Sequence, residues 1–502
     1  MRKIPSIMVS QHPDNANKPY WHTEAYISDQ HEVKECFYTF SKLGVSEYKW
    51  DWEGKFVDES VFERLVSTYP AFFQKYPLGK SKFLTFRLPD FRVKTEFRLG
   101  RALMSIVSAS GLAKELGLYS PPMFEVILSM TESAEEMISV QKAFREITKL
   151  KSPLYNLKNL TIKHLEIIPL FESINTIIRS DTILDDYLEL HKKKFGNTPS
   201  SIRPYLARSD SALSSGIVPS VLAIKIALSR YKKFENDKGI FLFPIIGAGS
   251  LPFRGGSTPY TVKDFIKQYS GIRTMLIQSA FQYDFPFKDV VSAISQINEL
   301  LPNSKVKNVK SIEEKAIIEI IKKFESFYQP TVKKIGSLIY SIARFLPDRR
   351  ERLKHTGLLK YPRFLGKVKI PRAIGFTASL YSLGIPPEFI GTGRGLKICN
   401  SQEIDLINKF YPNVKNDLER AGRYLNKNVL YQLAKKTNVG DGILEDVKEV
   451  EKFLGHTFMP VTAQEKAHSI FTDEIYDRFI NGSGIDITGL IEESALLRKS
   501  LG

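Results

Sequence analysis

Residues Ile240–Pro259 read IFLFPIIGAGSLPFRGGSTP, and this stretch predicts a strand and the loop that follows it. The part up to Ile246 is apolar and rich in residues that favour β-strands. A glycine-rich turn that carries Arg254 follows directly. Backbone amides can approach an anion closely in such a turn, and an arginine fork binds carboxylate or phosphate oxygens. The pattern therefore predicts a buried strand that ends in an anion-binding loop.

The same stretch also fits a plain strand–loop–helix connection. In that interpretation Ser257 or Thr258 caps the helix and Pro259 lies in its first turn. Two common phosphate motifs are excluded. Pro252 stands at the third glycine position of G-x-G-x-x-G, and no Gly-Lys-Ser/Thr follows as in a P-loop. The loop alone leaves the anion site and the plain connection open.

Composition predicts a folded protein of a reducing compartment. The chain has 502 residues, of which 43% are hydrophobic and 12% aromatic, enough for a large core. Its two cysteines, Cys36 and Cys399, form no disulfide framework. The start, MRKIPSIMVSQHP, has too few apolar residues for a signal peptide, and no run reaches the ~18 apolar residues of a membrane helix. We therefore expect a soluble cytoplasmic protein with no membrane partner.

The net charge of +17 is spread along the chain rather than gathered in one basic block. This distribution is typical of a lysine-rich surface, although it also fits the steering of small polyanionic substrates. A basic nucleic-acid-binding protein is the alternative from another class, and it predicts a strongly salt-dependent affinity. No zinc-finger, RNP or helix-turn-helix signature supports that alternative. We expect no nucleic-acid partner.

Short apolar runs alternate with amphipathic segments through the first half of the chain, as in a (β/α)8 barrel. This TIM-type α/β barrel is predicted over residues 1–287. The eight predicted strands lie near Ser6–Ser10, Tyr48–Trp52, Phe83–Phe86, Phe124–Met130, Leu165–Phe171, Arg203–Leu206, Ile240–Ile246 and Thr274–Ile277.

No further strands are predicted after about Lys288. The pattern there is helical, so residues 288–502 are predicted to form a large, mainly helical region that packs on the barrel and provides subunit contacts. The helical segments are Ile312–Phe345, Arg372–Gly384, Glu403–Leu454 and Glu465–Leu501.

A barrel enzyme carries its reactive groups at the carboxyl ends of its strands. Polar loops after strands are common in any fold. That general tendency explains less well an isolated charge directly after an apolar run, such as Glu172 in FES after IIPL. The predicted strand ends present His12, Asp51 with Glu53, Arg87, Ser129 with Thr131, Glu172, Arg208 with Asp210, Arg254, and Gln278 with Ser279.

Glu172 and Asp210 are the candidate metal ligands. They follow neighbouring strands, and a hard dication such as Mg2+ takes a few carboxylates and leaves its other positions to water and substrate. His12 is a candidate acid, base or hydrogen-bond donor. Arg208 lies two residues before Asp210, so strand alternation predicts that both point inward. The remaining fixed positive charges of the predicted anion pocket are Arg87, Arg254 and Arg372.

The chain resembles the short, archaeal-type phosphoenolpyruvate carboxylases over essentially its whole length. Eleven motifs that match in one order are far more specific than any one of them. They are QHPDN (Gln11–Asn15), WDWEGK (Trp50–Lys55), FRLP (Phe86–Pro89), FEVILSMTES (Phe124–Ser133), IIPLFES (Ile167–Ser173), LARSD (Leu206–Asp210), GAGSLPFRGG (Gly247–Gly256), IQSAF (Ile277–Phe281), PRAI (Pro371–Ile374), LYSLGIPPE (Leu380–Glu388) and the final RKSLG.

The resemblance implies carboxylation of phosphoenolpyruvate by bicarbonate, through carboxyphosphate and the pyruvate enolate, to oxaloacetate and phosphate. It also implies a decorated barrel, a need for Mg2+ or Mn2+, and a homotetramer. His12 resembles the essential histidine of the family, and Glu172 and Asp210 resemble its metal-binding carboxylates. Arg254 resembles the arginine of the mobile R-G-G turn, which here includes Gly255 and Gly256. Candidate substrate-binding residues are Arg87, Gly255, Gly256, Gln278 and Arg372, and Arg208 is a further catalytic candidate.

The chain departs from the longer bacterial and plant enzymes at three charged positions. Ile246 and Ala248 replace the histidine and first arginine of their glycine-rich loop, and Leu213 replaces a lysine after the metal-binding aspartate. The alternative from enzyme chemistry is another metal-dependent barrel lyase or aldolase that acts on the enolate of a 2-oxo acid. Such an enzyme would share Glu172 and Asp210, but it would need no bicarbonate and would release no phosphate.

Overall fold

Eight parallel strands close into a barrel in the computed structural model, which confirms the predicted fold class. The structure describes residues 2–90, 92, 97–149, 161–351, 363–365, 368–436, 440–482 and 486–502. The barrel strands are β1 (Ile7–Ser10), β2 (Glu47–Asp51), β3 (Phe83–Arg87), β4 (Glu125–Leu128), β5 (Glu166–Phe171), β7 (Tyr205–Ala207), β9 (Ile245–Gly247) and β10 (Thr274–Ile277). Around the barrel the order is β1-β10-β9-β7-β5-β4-β3-β2.

A proline divides the predicted strand Ile240–Ile246 into two, and a second proline precedes the observed strand in the predicted range Arg203–Leu206. Pro204 separates β6 (Ser201–Ile202) from β7, and Pro244 separates β8 (Phe241–Leu242) from β9. Proline has no amide hydrogen for a strand ladder, so the short outer strands pair with each other in a small parallel sheet. The later strands β7 and β9 then continue in the barrel.

Helices surround the barrel and form most of the described part of the C-terminal half. They are α1 (Asp29–Ser41), α2 (Val61–Thr68), α3 (Pro70–Lys75), α4 (Arg98–Glu115), α5 (Ala134–Thr148), α6 (Ile174–Ile178), α7 (Ser180–Phe195), α8 (Arg208–Ser215), α9 (Ile217–Lys238), α10 (Val262–Gln268), α11 (Ser279–Tyr283), α12 (Phe287–Leu300), α13 (Ser311–Ile342), α14 (Ala373–Ser382), α15 (Thr392–Ile398), α16 (Ser401–Phe410), α17 (Val414–Gly422), α18 (Lys427–Lys436), α19 (Gly440–Leu454), α20 (Ala463–Asn481) and α21 (Thr488–Arg498). Short 3-10 helices span Pro252–Arg254, Leu301–Asn303 and Ala343–Phe345.

Alternation along β2 shows how the strands divide their side chains between barrel interior and helices. Tyr48 and Trp50 are buried in the large core cluster outside the barrel. On the opposite face, Glu47 binds Arg203 near the amino ends of the strands, and Asp51 lies at the carboxyl end. Lys49 lies between them on this inward face. A smaller apolar cluster, which includes Met8, Ile127, Ile168, Tyr205 and Leu276, fills the middle of the barrel.

The C-terminal half contacts the barrel at the end where the site residues lie. The long helix α13 packs on α8 and α9, α14 packs on α8, and α17 packs on the 3-10 helix Pro252–Arg254. The expectation that strands stop after Lys288 was wrong in one place, because β11 (Arg363–Leu365) and β12 (Val368–Ile370) form an antiparallel hairpin. The division into domains at residues 287 and 288 remains a prediction. No helix among the described residues is long and apolar enough to cross a bilayer.

Candidate active site

A cavity opens at the carboxyl ends of the barrel strands, where the sequence predicted the reactive groups. Its wall includes loops after several strands and the start of α14 from the C-terminal half. The predicted site residues that line it are His12, Arg87, Glu172, Asp210, Arg254, Gln278 and Arg372. Arg208, Gly255 and Gly256 do not line it.

Glu172 and Asp210 lie at neighbouring positions on this cavity wall. Glu172 follows β5, Asp210 lies in the first turn of α8 directly after β7, and β5 pairs with β7 in parallel. Within the described ranges, no group of three or more His, Cys, Asp or Glu side chains is arranged to hold a metal ion. A pair of carboxylates nevertheless fits Mg2+ or Mn2+, because these ions commonly keep waters and substrate oxygens as their other ligands.

Arg87 is held in place by two acids of the preceding strand end. Its Nε and Nη2 donate to Asp51 at 2.8 and 2.6 Å, and Nη1 forms an ion pair with Glu53. Burial opposes the charged form of Arg87, but Asp51 and Glu53 outweigh it and raise the pKa of the guanidinium. Arg372 donates to the same Glu53 at 3.2 Å. Together these contacts fix two arginine side chains on one side of the cavity.

Arg254 reaches the cavity from the glycine-rich loop. Its Nη1 donates to Asp14 at 3.0 Å and to the main-chain oxygen of Gly502 at 2.5 Å, and Nη2 donates to Gln278. A Cβ atom at Gly249 would lie 2.8 Å from Cζ of Arg254, so this close approach requires glycine. The helix after the loop, α10, begins only at Val262, so the alternative interpretation in which Ser257 or Thr258 caps it is wrong in that detail.

His12 lies directly after β1 and its imidazole is oriented by Ser10. The hydroxyl Oγ of Ser10 and Nδ1 of His12 are 2.8 Å apart. Burial lowers the pKa of His12 well below its usual value, and the charges of Arg87 and Arg254 lower it further. The imidazole is therefore neutral near pH 7 and can accept or donate a proton through its other ring nitrogen.

Comparison with known proteins gives the family. The family model described as phosphoenolpyruvate carboxylase matches residues 4–502. The chain belongs to the phosphoenolpyruvate carboxylase family. Similar members are the phosphoenolpyruvate carboxylases of Leuconostoc mesenteroides (36% identical, 100% of this chain and 99% of that one) and Metallosphaera sedula (35%, 100% of both chains). Another, from Pyrococcus abyssi, is 36% identical over 89% of this chain and 92% of its own. The two archaeal relatives, from Metallosphaera sedula and Pyrococcus abyssi, support the short, archaeal type.

Arg208 does not lie where strand alternation predicted. The prediction was wrong because Arg208–Ser215 is helical, and in a helix the chain turns by about 200° around the axis between residues two apart. Its Nε donates to the hydroxyl of Tyr269 at 2.8 Å, and its Nη1 donates to the carbonyl of Phe253 at 3.0 Å. Arg208 therefore contacts the back of the glycine-rich loop rather than the cavity.

Two charged residues from the C-terminal half also contact this loop, and sequence reasoning missed their roles. Glu388 accepts a hydrogen bond from the backbone amide of Phe253 at 2.6 Å. Arg420 donates to the carbonyls of Gly256 and Ser250, both at 3.2 Å. Glu388 ends one of the family motifs, which was a signal for it. Nothing in the sequence near Arg420 indicated this contact.

The glycines of the R-G-G turn face away from the cavity. Gly255 has φ 115°, and a Cβ atom there would lie 2.7 Å from Cβ of Ala248. Gly256 has φ 70°, and a Cβ atom there would lie 2.8 Å from Nη1 of Arg420. Both positions need glycine for backbone conformation and close packing, which shapes the turn that presents Arg254.

The positions that lack the charges of the longer enzymes are apolar and buried in this member of the family. Ile246, Ala248 and Leu213 all belong to the core cluster. Lys49 of β2, by contrast, lines the cavity with Arg87 and Arg372. Sequence reasoning missed Lys49, although its place between two inward-facing acids of one strand was a signal.

Proposed function

We propose that this chain carboxylates phosphoenolpyruvate with bicarbonate and releases oxaloacetate and phosphate. The observation that carries the proposal is the cavity in which Glu172 and Asp210 meet His12 and five arginines, three of which the sequence predicted. A substrate with both a phosphate and a carboxylate group needs several fixed positive charges, and bidentate arginines suit such oxygens. Family membership over nearly the whole chain supports the same activity.

Glu172 and Asp210 would hold the divalent cation, which we propose is Mg2+ or Mn2+. When bound, such an ion neutralises charge on phosphate and enolate oxygens. Arg87 and Arg372, which acids of the barrel hold in place, would bind the substrate anion from the side. Gln278 fixes one nitrogen of Arg254 and would keep that guanidinium aimed at the same anion. The arginines would thereby stabilise charge as it moves from the phosphate bridge to the enolate oxygen.

His12 would act in the carboxylation half of the reaction. Bicarbonate first attacks phosphorus, which gives carboxyphosphate and the pyruvate enolate. Carboxyphosphate then releases CO2, and the enolate carbon captures it. A neutral imidazole fixed by Ser10 can orient the carboxyl group or CO2 by hydrogen bonding.

The loop Gly247–Gly256 would close over the bound substrate and keep water away from the enolate. Arg208, Glu388 and Arg420 contact its backbone from outside the cavity, so we propose that they position the loop while Arg254 contacts the substrate. Phosphoenolpyruvate with Mg2+ should therefore slow proteolysis of this loop. Equal cleavage rates with and without these ligands would count against closure.

We further propose a cytoplasmic homotetramer. The support is the family resemblance, together with exposed apolar side chains near α20, which include Met459, Val461 and Ile470. Light scattering should give about four times the chain mass of 57.2 kDa. A monomer mass at micromolar concentration would contradict the assembly.

A coupled assay separates the proposed activity from the aldolase or lyase alternative. Malate dehydrogenase reports oxaloacetate when phosphoenolpyruvate, Mg2+ and bicarbonate are present. We expect NADH oxidation only when all three are supplied. Turnover of a 2-oxo acid without bicarbonate and without phosphate release would favour the alternative.

A further inference from the structure

The cavity contains a lysine to which none of the roles above has been given. Lys49 lies on β2 on the inward face of the barrel, and its side chain is 1% exposed. Its Nζ lies 5.8 Å from the ring centre of Tyr205, and it has no hydrogen-bond partner in the part of the chain that the structure describes. A buried amino group that lacks a partner costs stability. Its place on the cavity wall offers a ligand as the partner.

Burial and the neighbouring arginines favour the neutral form of Lys49. Burial lowers the pKa of Lys49 well below its usual value, and Arg87 on β3 lowers it further. Asp51 and Glu53 act in the opposite direction, but both already bind Arg87. Arg372 lowers the pKa as well, and His12 and Tyr205 face the same space.

A neutral amine offers a lone pair, which no arginine of the cavity can offer. Fully ionised phosphoenolpyruvate carries only acceptor oxygens, so it has no hydrogen for that lone pair. Bicarbonate brings one hydroxyl group. The chemistry of Lys49 therefore matches bicarbonate rather than phosphoenolpyruvate.

We propose that Lys49 is a further catalytic residue, whose amino group binds the hydroxyl of bicarbonate and takes up its proton during carboxylation. This inference rests on the proposed function. Attack of a bicarbonate oxygen on phosphorus forms one P–O bond, while the bond from phosphorus to the enol oxygen breaks and its electron pair stays on that oxygen. The hydroxyl of bicarbonate remains on the resulting carboxyphosphate.

Lys49 then forms an N–H bond to this proton as the O–H bond breaks. The O–H electron pair becomes the second C=O bond of CO2, and the bond from carbon to the phosphate oxygen breaks with its pair on phosphate. The released phosphate takes the proton back from the Lys49 ammonium and leaves as HPO4 2−. The enolate carbon adds to CO2, so charges and protons balance without any further reactant.

The test compares Lys49→Met and Lys49→Arg with the wild type in the oxaloacetate assay. We expect both variants to lose about 10²–10⁴-fold in turnover, the usual cost of one acid or base, with little change in KM for phosphoenolpyruvate. Arginine keeps a positive charge but has no lone pair, so it should not rescue. The matched control is Lys225→Met, because Lys225 is also buried and its pKa is lowered to about 7, but it donates to Gln268 outside the cavity. This control should turn over near the wild-type rate.

Chemical rescue supplies a readout that a structural role would not move. Ethylamine should restore turnover of Lys49→Ala in proportion to its free-base fraction, whereas guanidinium should not. Wild-type turnover in Lys49→Met, or recovery in Lys49→Arg, would overturn the inference while leaving the proposed function intact. So would a folded Lys49→Ala that ethylamine does not rescue. A wild-type protein that forms no oxaloacetate would instead overturn the proposed function, and this inference with it.

Discussion

Nη1 of Arg254 lies 3.0 Å from Oδ2 of Asp14, and both side chains are buried. Burial raises the pKa of Asp14 and lowers that of Arg254, because it disfavours the charged form of each group. The contact between the two groups shifts both pKa values in the opposite direction. Asp14 follows β1, whereas Arg254 follows β9. The contact therefore ties the glycine-rich loop to the loop that carries His12.

Replacement of Arg254 by lysine should lower kcat by about 10²–10³-fold, as loss of one stabilising donor group typically does. The guanidinium donates to Asp14 through Nη1 and to Gln278 through Nη2, and a lysine ammonium cannot reproduce this two-pronged geometry. The unfolding temperature should change much less than turnover. Arg394→Lys is the control, since Arg394 forms a similar fork on Asp446 outside the cavity. Near wild-type kcat in Arg254→Lys would return this residue to a structural role.

Glu172→Gln and Asp210→Asn should each abolish detectable turnover and weaken Mn2+ binding measured by electron paramagnetic resonance. Each change replaces a charged oxygen ligand by a neutral amide of nearly the same shape, so circular dichroism should remain that of the wild type. Asp185→Asn on α7 controls for loss of an acid elsewhere, because Asp185 pairs with Lys238 on the surface. Unchanged Mn2+ affinity in either site variant would place the metal elsewhere.

His12→Asn should separate the two halves of the reaction. Asparagine keeps a donor of similar reach, but its amide does not reproduce the imidazole that Ser10 holds in place to orient the carboxyl group or CO2. If His12 serves carboxylation, the variant should release phosphate only with bicarbonate present and form pyruvate in place of oxaloacetate. Oxaloacetate formation should fall about 10²–10⁴-fold.

Phosphate, pyruvate and oxaloacetate are measured together in this experiment. His191→Asn is the control, because His191 is a buried histidine that binds the carbonyl of Asn197 outside the cavity. Oxaloacetate at the wild-type rate would remove His12 from catalysis. Loss of all three products in a folded protein would place His12 in substrate binding or in the first step.

Glu388 should make stability pH-dependent. Burial raises the pKa of its carboxyl from 4.5 to about 7, although Tyr381 and the amide of Phe253 donate to it. Between these values the folded protein keeps a proton that the unfolded chain releases, so the free energy of unfolding falls as pH rises through this window. The full loss is about 3 kcal/mol, reached above pH 7.

Glu388→Gln should remove this dependence, because the amide accepts the same two hydrogen bonds and cannot ionise. Urea unfolding at pH 5 and pH 8 measures the effect. The difference in stability between variant and wild type should favour the variant more at pH 8 than at pH 5. Parallel changes of both proteins with pH would show that the ionisation of Glu388 is not linked to folding.

Local patterns predicted the barrel because each strand is a short apolar run that a polar or glycine-rich segment ends. The sequence did not show how the segments on either side of Pro204 and Pro244 pair. In the structure the segments before these prolines pair with each other, and those after them pair within the barrel. His12, Glu172 and Asp210 were predicted to follow strand ends, and all three line the cavity, because a barrel brings the carboxyl ends of its strands together.

The rest of the site depends on contacts between segments far apart in the chain. Arg208 was misplaced because the first helical turn begins at that residue rather than after it. Glu388 and Arg420 reach the glycine-rich loop from the C-terminal half, and no local period encodes that contact. The proposed role of Lys49 depends on its position at the cavity and on the lack of a hydrogen-bond partner for its amino group among the described residues, and neither can be read from the local sequence.

The central claim is that a bicarbonate oxygen attacks phosphorus. It is tested most directly with bicarbonate labelled with 18O, supplied to the wild-type protein with phosphoenolpyruvate and Mg2+ in a reaction shorter than the exchange of bicarbonate with water. Mass spectrometry of the products should find one 18O atom in each released phosphate and the other two in the new carboxylate of oxaloacetate. Phosphate without 18O, formed together with oxaloacetate, would contradict the account.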